Sequence, residues 1–540
     1  MADIVFINPR FEISYWGMEH ALPLTGKRAN MPVACLPLLA ALTPAGHTVT
    51  LIDENVEAID WDRVARADIV GVTGMSVQRR RMQEILTELK QRGVFTVVGG
   101  PWVTVQEDYF GELADVIFVG EAEETWPRFL GEWQRGQHQQ RYEQAEKSDM
   151  TKLPVPRFDL LKMHHYLFGS LQFSRGCPFQ CEFCDIIVTF GRKPRLKTSA
   201  QVIAELQALR AQKIDIAFIV DDNLIGNKKA IKLILRDIIA WQETRGYPLS
   251  FVTEASIDLA EDDEMMRLML DANIDSVFVG IESPNEEALR ETKKIQNLTD
   301  RSGTALEKIH RIQEAGIFVW GGTIIGFDHD DESVFELHRE FVAQSRIAQM
   351  IVQVLYAIPQ TPLHKRLAAE GRLDDGFVMA NWGAAAATNV VPLRLSMAAL
   401  REGYLKLISD LYTPDAFFAR MDAMCLGTKW LPAPGRTKHL RRHRLRWLKL
   451  RAWAGIQTLY IFVQLMRVVP DAELRRQYRR RIWLAMKRRP NIRLIRIYCM
   501  TCAAHFHYDR LIAQMTATPP FVASAPAPSQ PAADARAAAD

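Results

Sequence analysis

A chain of 540 residues exceeds the roughly 250–300 residues at which one hydrophobic core usually stops growing, so two or three domains are expected. Its 48% hydrophobic content is normal for a globular, core-forming protein, and a net charge of +3 excludes a polycation built as a whole for nucleic acid. The 7 cysteines (35, 177, 181, 184, 425, 499 and 502) are too few and too unevenly spaced for a disulfide framework. Three of them crowd between positions 177 and 184, which suggests metal.

Met1-Ala-Asp-Ile-Val-Phe-Ile-Asn enters an apolar strand directly, with neither a basic segment nor a small-residue cleavage site, so it does not read as a secretory signal and a cytoplasmic location is expected. Up to about Leu130, short apolar runs alternate with helical stretches. The candidate strands are Ile4–Ile7, Thr48–Ile52, Ile69–Val72, Phe95–Val98 and Val116–Val119, a βαβαβ pattern that implies a doubly wound, Rossmann-like parallel sheet. Ligands of such sheets bind beyond the C-terminal strand ends. Those ends carry Asn8, Asp53-Glu54-Asn55, Thr73-Gly74-Met75-Ser76, Gly99-Gly100 and Gly120-Glu121, small and polar residues that let a large ligand approach the backbone.

Residues 131–156 have little periodicity and read as a linker. A second alternating series covers 157–373, with strands expected at Leu171–Ser174, Ile216–Val220, Leu249–Thr253, Ser276–Ile281, Val319–Ile325 and Met350–Leu355. Six β/α units suggest a partial barrel with its chemistry at the C-terminal rim.

Ser174-Arg-Gly-Cys177-Pro-Phe-Gln-Cys181-Glu-Phe-Cys184, C-x3-C-x2-C, follows the first of these strands. Three thiolates on one short loop can hold three irons of a cubane and leave the fourth open, whereas clusters fully enclosed by protein usually take four cysteines. The rival readings are unconnected core cysteines or structural zinc. Zinc wants four ligands, and the nearest extra candidates, His164 and His165, precede the strand. Asp221-Asp222-Asn223, Glu254 and Gly280-Ile281-Glu282 end the next three strands. Each alone reads equally as a turn residue or helix cap; their joint placement favours ligand contacts.

From about Asp374 to residue 515 the pattern is mainly helical, and residues 516–540 are Ala/Pro-rich and expected to be disordered. Residues 435–500 hold 19 Lys and Arg against Asp471 and Glu473, which leaves the rest of the chain acidic. Basic residues interleaved with Trp447, Trp453, Tyr460, Trp483 and other rings suit peripheral association with a membrane surface at its inner face, and equally a helical cap with a solvated basic face. Nucleic acid is disfavoured by the acidic body. Ala452–Met466 is uncharged for too few residues to span a bilayer and reads as interfacial or buried. Cys425, Cys499-Met-Thr-Cys502, His505 and His507 read as packed side chains rather than ligands.

The phrases Cys177–Asp185, Phe190–Lys197, Val220–Lys228 and Gly280–Glu286 resemble the cobalamin-binding radical S-adenosylmethionine (SAM) proteins. The resemblance covers about residues 1–515. It is to the subgroup with an extra C-terminal domain, similar to hopanoid C-2 methylases and more distantly to anaerobic magnesium-protoporphyrin ester cyclases. It implies a [4Fe–4S] cluster on Cys177, Cys181 and Cys184, with Phe183 at the aromatic position of the loop. It also implies SAM contacts from Phe183, Asp221, Asp222, Asn223, Glu254, Gly280 and Glu282, and cobalamin on the strand ends of residues 1–130. The D-x-H-x-x-G motif of the mutase type is absent, so no histidine is expected below the cobalt. The implied function is methylation of an unactivated carbon of a hydrophobic, hopanoid- or tetrapyrrole-like substrate, with an external electron donor such as a flavodoxin or ferredoxin. A radical cyclase without methyl transfer and a sensor without turnover are the alternatives.

Overall fold

The computed structural model describes residues 1–376, 386–428, 430 and 434–517. The N-terminal sheet has six parallel strands, β1 (Asp3–Asn8), β2 (Thr48–Asp53), β3 (Ile69–Thr73), β4 (Thr96–Gly99), β5 (Val116–Val119) and β6 (Arg141–Glu143), in the order β2-β1-β3-β4-β5-β6. Burial of both faces explains the unbroken apolar run of β1. Val5 and Ile7 pack with Met82, Ile85, Leu86 and Leu89, a stripe at helical spacing on Arg79–Gln91. Ile4 and Phe6 face the other way, into a core that continues through Trp126 and Phe129 into the barrel and the C-terminal helices.

The expected linker departs from the sequence reading. Its first residues complete the helix Thr125–Gln134, and Arg141–Glu143 adds the sixth strand, where buried Tyr142 stacks on Phe118 with centroids 5.3 Å apart. A three-residue edge strand is too short to display a period.

The second sheet is an open parallel arc, β14-β13-β12-β11-β10-β7, alternating with helices. β7 (Gly169–Leu171) ends earlier than the expected Leu171–Ser174 strand, because β8 (Ser174–Arg175) leaves the arc to pair antiparallel with β9 (Arg195–Leu196). The others are β10 (Ile216–Ile219), β11 (Ser250–Glu254), β12 (Ile274–Glu282), β13 (Phe318–Ile325) and β14 (Met350–Val354).

The C-terminal helices include Met397–Leu411, Pro414–Cys425, Gly435–Arg442, Arg444–Val468, Ala472–Arg488 and Ile492–Ala517. They shield the end of the arc: the hydroxyls of Tyr404 and Tyr412 donate to the carbonyls of Val352 and Met350 at 3.2 and 2.6 Å. An uncovered edge would offer these acceptors to another chain. Cys425, Cys499 and Cys502 are buried core residues, and His505 is held between the Tyr478 hydroxyl and the Tyr412 carbonyl. The last helix runs through Ala517, and the rest of the expected tail lies outside the described residues. Among the described residues no helix is long and apolar enough to cross a membrane.

Candidate functional site

The cysteine loop is held by the end of β10. Both oxygens of Asp221 are taken, Oδ1 by the Phe173 amide at 2.7 Å and Oδ2 by the Ser174 hydroxyl at 2.6 Å, and the residue is only 1% exposed. Asp221 therefore stands behind the loop, committed to protein donors, and not against a ligand as expected. Asp222 accepts from the Gly176 amide at 2.7 Å. Gly176 has φ +95°, and a Cβ there would meet the carbonyl oxygens of Gly191 and Lys193 at 2.9 Å, so this turn demands glycine. Asn223 bridges to Ser256 through both amide atoms, and its influence on the Cys177 thiol is to lower it.

Three acids at these strand ends, Asp221, Asp222 and Glu254, lie above the ordinary carboxylate range. Burial lifts Asp221 to about 7, Asp222 to about 6 and Glu254 to about 7, with Asp222 and Asp221 adding repulsion at Glu254. The Glu254 carboxylate has no hydrogen-bond partner among the described residues, and the residue keeps some accessible surface, so it is available to a ligand. Glu282, at φ +65° on the bulge that ends β12, is paired with Lys294 at 2.7 Å. A Cβ at Gly280 would lie 2.4 Å from the Glu282 carboxylate and 3.2 Å from the Lys294 ammonium.

Lys294 was not a sequence candidate, and no motif marks it. Burial opposes its charge, yet Glu282 and the sulfurs of Cys181 and Cys184 hold it above the ordinary lysine range. Gln296 Nε2 reaches Cys181 Sγ at 3.6 Å. Burial raises the thiols of Cys177 and Cys184, and the Cys181 sulfur raises both further. Among the described residues no three His, Cys, Asp or Glu side chains converge to hold a single metal ion. A cubane needs no such convergence, since each thiolate binds its own iron. Three soft donors on one loop, with a cation beside two of them, fit an anionic iron–sulfur cluster. Phe183 packs toward Phe327, with centroids 6.2 Å apart.

The N-terminal strand ends divide into two groups. Asp53 is buried at the hub of a network: Oδ1 accepts from Asn8 and Asn55, and Oδ2 from the Tyr166 hydroxyl at 2.7 Å. Glu54 is paired with Arg81 at 2.5 Å. Glu121, also buried, accepts from Arg175 at 2.7 Å, from Arg195 at 3.0 Å and from the Ser148 amide. Asn8, Asp53 and Glu121 are thus buried and occupied by protein, against the expectation that they face a cofactor, whereas Glu54 and Asn55, though bonded within the protein, line an open cavity. Gly120 lies against the Gln144 carbonyl. Thr73, Ser76, Gly99 and Gly100 keep accessible surface, and Met75 and Val77 are 45% and 53% exposed. Cys35 is accessible too, yet burial among protein atoms raises its thiol, with Arg175 and Thr73 close by. Small and apolar accessible residues here fit a broad cofactor.

Inside the arc, Phe218 of β10 and Val252 of β11 form a cluster with Phe168, and Trp320 of β13 packs against it. Side chains from non-adjacent strands meet this way only within the curve of the sheet. Trp16, from the segment after β1, packs on Phe278 with centroids 4.7 Å apart. The interior is aromatic.

A Rossmann-type sheet joined to an open β/α barrel, with a three-thiol loop after the first barrel strand, defines a radical SAM enzyme with a cofactor-binding N-terminal domain. Family models agree: the radical SAM superfamily matches residues 171–341, the B12 binding domain 30–130, and a domain of unknown function (DUF4070) 361–518. An uncharacterized methyltransferase of Synechocystis sp. is 39% identical over 77% of this chain and 77% of its own length. The hopanoid C-2 methylase of Rhodopseudomonas palustris is 36% identical over 68% of this chain and 71% of its own. Among solved structures, the cobalamin-dependent radical SAM enzyme OxsB superposes with TM-score 0.58 at 14% identity, covering 96% of this chain and 80% of OxsB. The methyltransferase TsrM of Kitasatospora setae gives 0.55 at 18% identity, covering 75% of this chain and 82% of TsrM. This chain belongs to the cobalamin-dependent radical SAM methyltransferase family. Its cofactors are accordingly a [4Fe–4S] cluster, SAM and cobalamin.

Proposed function

We propose that the chain methylates an unactivated carbon of a hydrophobic, polycyclic molecule of hopanoid or tetrapyrrole type. The aromatic interior of the barrel carries this reading, since Phe278 and Trp320 keep accessible surface and offer rings and no charge to a substrate, backed by buried Phe168 and Phe218. Cys177, Cys181 and Cys184 hold the cluster; Glu254 and the Gly280 backbone contact SAM; Thr73, Met75, Ser76, Gly99 and Gly100 contact cobalamin. When bound, the cluster and SAM supply a hydrogen-abstracting radical and cobalamin supplies a methyl group. The protein's part is orientation. Asp222 and Gly176 set the loop, Glu121 and Arg175 fix it to the N-terminal sheet, and the aromatic walls exclude water.

The reading extends to peripheral association with the inner face of a membrane, and to a small flavodoxin or ferredoxin as the electron donor. Support for the membrane comes from the helix Arg444–Val468. Thr458, Ile461 and Leu465 are its buried residues, while Leu445, Leu448, Trp453, Ile456, Leu459 and Val463 are exposed along the opposite side. Such an apolar stripe amid Arg and Lys suits an anionic bilayer surface. A second copy of the chain would instead bring like charges together.

The test is product analysis of anaerobically reconstituted enzyme in a lipid extract with methyl-deuterated SAM. Label in the product, with 5′-deoxyadenosine and S-adenosylhomocysteine in about equal amounts, is the expected result. Substrate-dependent 5′-deoxyadenosine without S-adenosylhomocysteine would overturn methyl transfer in favour of cyclisation.

A further inference from the structure

The peptide between the second and third cysteines of the loop is gripped from two directions. The Glu182 amide donates to the Thr292 carbonyl at 2.9 Å, and the Glu182 carbonyl accepts from the Leu363 amide at 3.0 Å. Its carboxylate, 10% exposed, takes Lys293 Nζ on Oε1 at 2.8 Å and Arg366 Nε on Oε2 at 3.3 Å. Both backbone polar atoms and both carboxylate oxygens of Glu182 are thus given to segments more than a hundred residues away. Leu363 and Arg366 lie on the helix Pro362–Ala369, which opens the domain of unknown function matched over residues 361–518.

Arg366 does more than meet Glu182. Its Nη1 donates to Asp328, just past β13, at 2.7 Å, and its Nη2 to Glu291, the last residue of the helix Glu286–Glu291, at 3.1 Å. One guanidinium therefore joins three carboxylates from three segments, which its planar fork of donors allows. The apolar residues of the same helix complete the contact: Leu363 and Leu367 are buried in a cluster with Phe327, and Phe183 packs against that cluster. Glu182 and Phe183, consecutive in the cysteine loop, both rest on this one helix. The stretch ahead of the helix is tied to the N-terminal domain, where Gln360 Nε2 donates to the Val105 carbonyl at 3.0 Å.

We propose that Arg366 is a positioning residue for the iron–sulfur cluster, fixing the Cys181–Cys184 end of the loop through Glu182, so that the domain of unknown function supplies part of the cluster's mount. The proposal rests on the reading of Cys177, Cys181 and Cys184 as the cluster ligands. Asp222 holds the turn before Cys177, and Arg366 with Glu182 holds the stretch before Cys184, so the two ends of the loop are fixed from different parts of the fold. Ligands must be held to within about 0.5 Å of their working geometry by the groups behind them. Such outer partners typically contribute about 10–100-fold in metal affinity or activity.

Iron release from anaerobically reconstituted full-length protein to a ferrous chelator, without substrate, tests this, together with the electron paramagnetic resonance signal of the reduced cluster in the presence of SAM. Arg366→Gln and Glu182→Gln should each assemble the cubane, release iron at least about tenfold faster than the parent and alter the signal. Combined, their effects should fall short of the product of the two, since both changes break one contact. Arg372→Gln is the control: among the described residues Arg372 bonds Asp328 and Glu370 but not Glu182, so its loss should lower the melting temperature and leave iron release and the signal as in the parent. Parental release and signal in folded Arg366→Gln or Glu182→Gln overturn the proposal, as does equally fast release from Arg372→Gln, which would mark a general loosening. Glu182→Gln is nearly isosteric and decides the matter where Arg366→Gln does not fold. A parent that assembles no cubane overturns the cluster reading and this proposal together, whereas a cubane released alike by parent and variants overturns this proposal alone.

Discussion

Glu121, at the C-terminal end of β5, accepts a hydrogen bond at 2.7 Å from Arg175, two residues ahead of Cys177. One carboxylate thereby ties the N-terminal sheet to the base of the cysteine loop. Glu123 holds the same guanidinium at 2.6 Å and Arg195 bonds Glu121 from β9, so the joint is a buried network of two acids and two arginines. Groups from both domains are desolvated together, which makes the relative position of sheet and barrel costly to change.

Replacing Glu121 with Gln should therefore act on more than stability. Breaking a buried charge pair costs about 3–5 kcal/mol, and a melting temperature lowered by several degrees is expected. Methyl transfer should fall further than SAM cleavage, because cleavage needs the barrel alone while transfer needs both domains in register. An equal loss of both activities in folded protein would count against the joint as a positioning device.

Changing Cys177, Cys181 or Cys184 to Ala should strip most iron and sulfide from anaerobically reconstituted protein. Cobalamin binding should persist, since its proposed contacts lie on the N-terminal sheet. Iron, sulfide and cobalamin content measured on one preparation decides this, and retention of a full cubane in all three variants would refute the cluster assignment.

Three buried histidines make the fold sensitive to acid. His338, His505 and His507 are lowered to about 4 by burial, and each is bonded to a backbone carbonyl, of Val334, Tyr412 and Ser14 respectively. A folded pKa below the unfolded value of about 6.5 means stability that is present above pH 6.5 and lost as pH falls toward 4, at up to about 1.4 kcal/mol per pH unit for each group. Glu19, lifted to about 7 by burial, works in the other direction, losing stability between about 4.5 and 7 as pH rises. Thermal melts should show a steep decline below pH 6, and His505→Gln should make that decline shallower.

The apolar stripe on Arg444–Val468 predicts flotation with anionic liposomes at low salt and release as ionic strength rises, since surface attraction is screened over about 8 Å at physiological salt. Burying a side chain of this size contributes about 1.5–3 kcal/mol. Joint replacement of Trp453 and Leu459 by Ser should then weaken partitioning at least tenfold while leaving the melting temperature nearly unchanged, because both are more than half exposed. Equal flotation with neutral and anionic vesicles, or none with either, would remove the membrane reading.

What the sequence determined by itself is whatever depends on neighbours along the chain. Three cysteines within eight positions lie on one loop in any fold, and alternating apolar runs and helical stretches make parallel sheets wherever they occur. The uncharged run of the Arg444–Val468 helix was legible as interfacial or buried for the same reason. Only the tertiary structure decided which strand-end residues are free for a ligand. Asp53, Glu121 and Asp221 end their strands as Glu254 does, but their carboxylates satisfy donors from distant segments, Tyr166, Arg175 and Phe173, whereas Glu254 has no such partner among the described residues. Lys294, beside Cys181 and Cys184, lies more than a hundred residues from either along the chain. A buried polar group must find its partner somewhere, and linear spacing does not tell whether that partner is a cofactor or another part of the same chain.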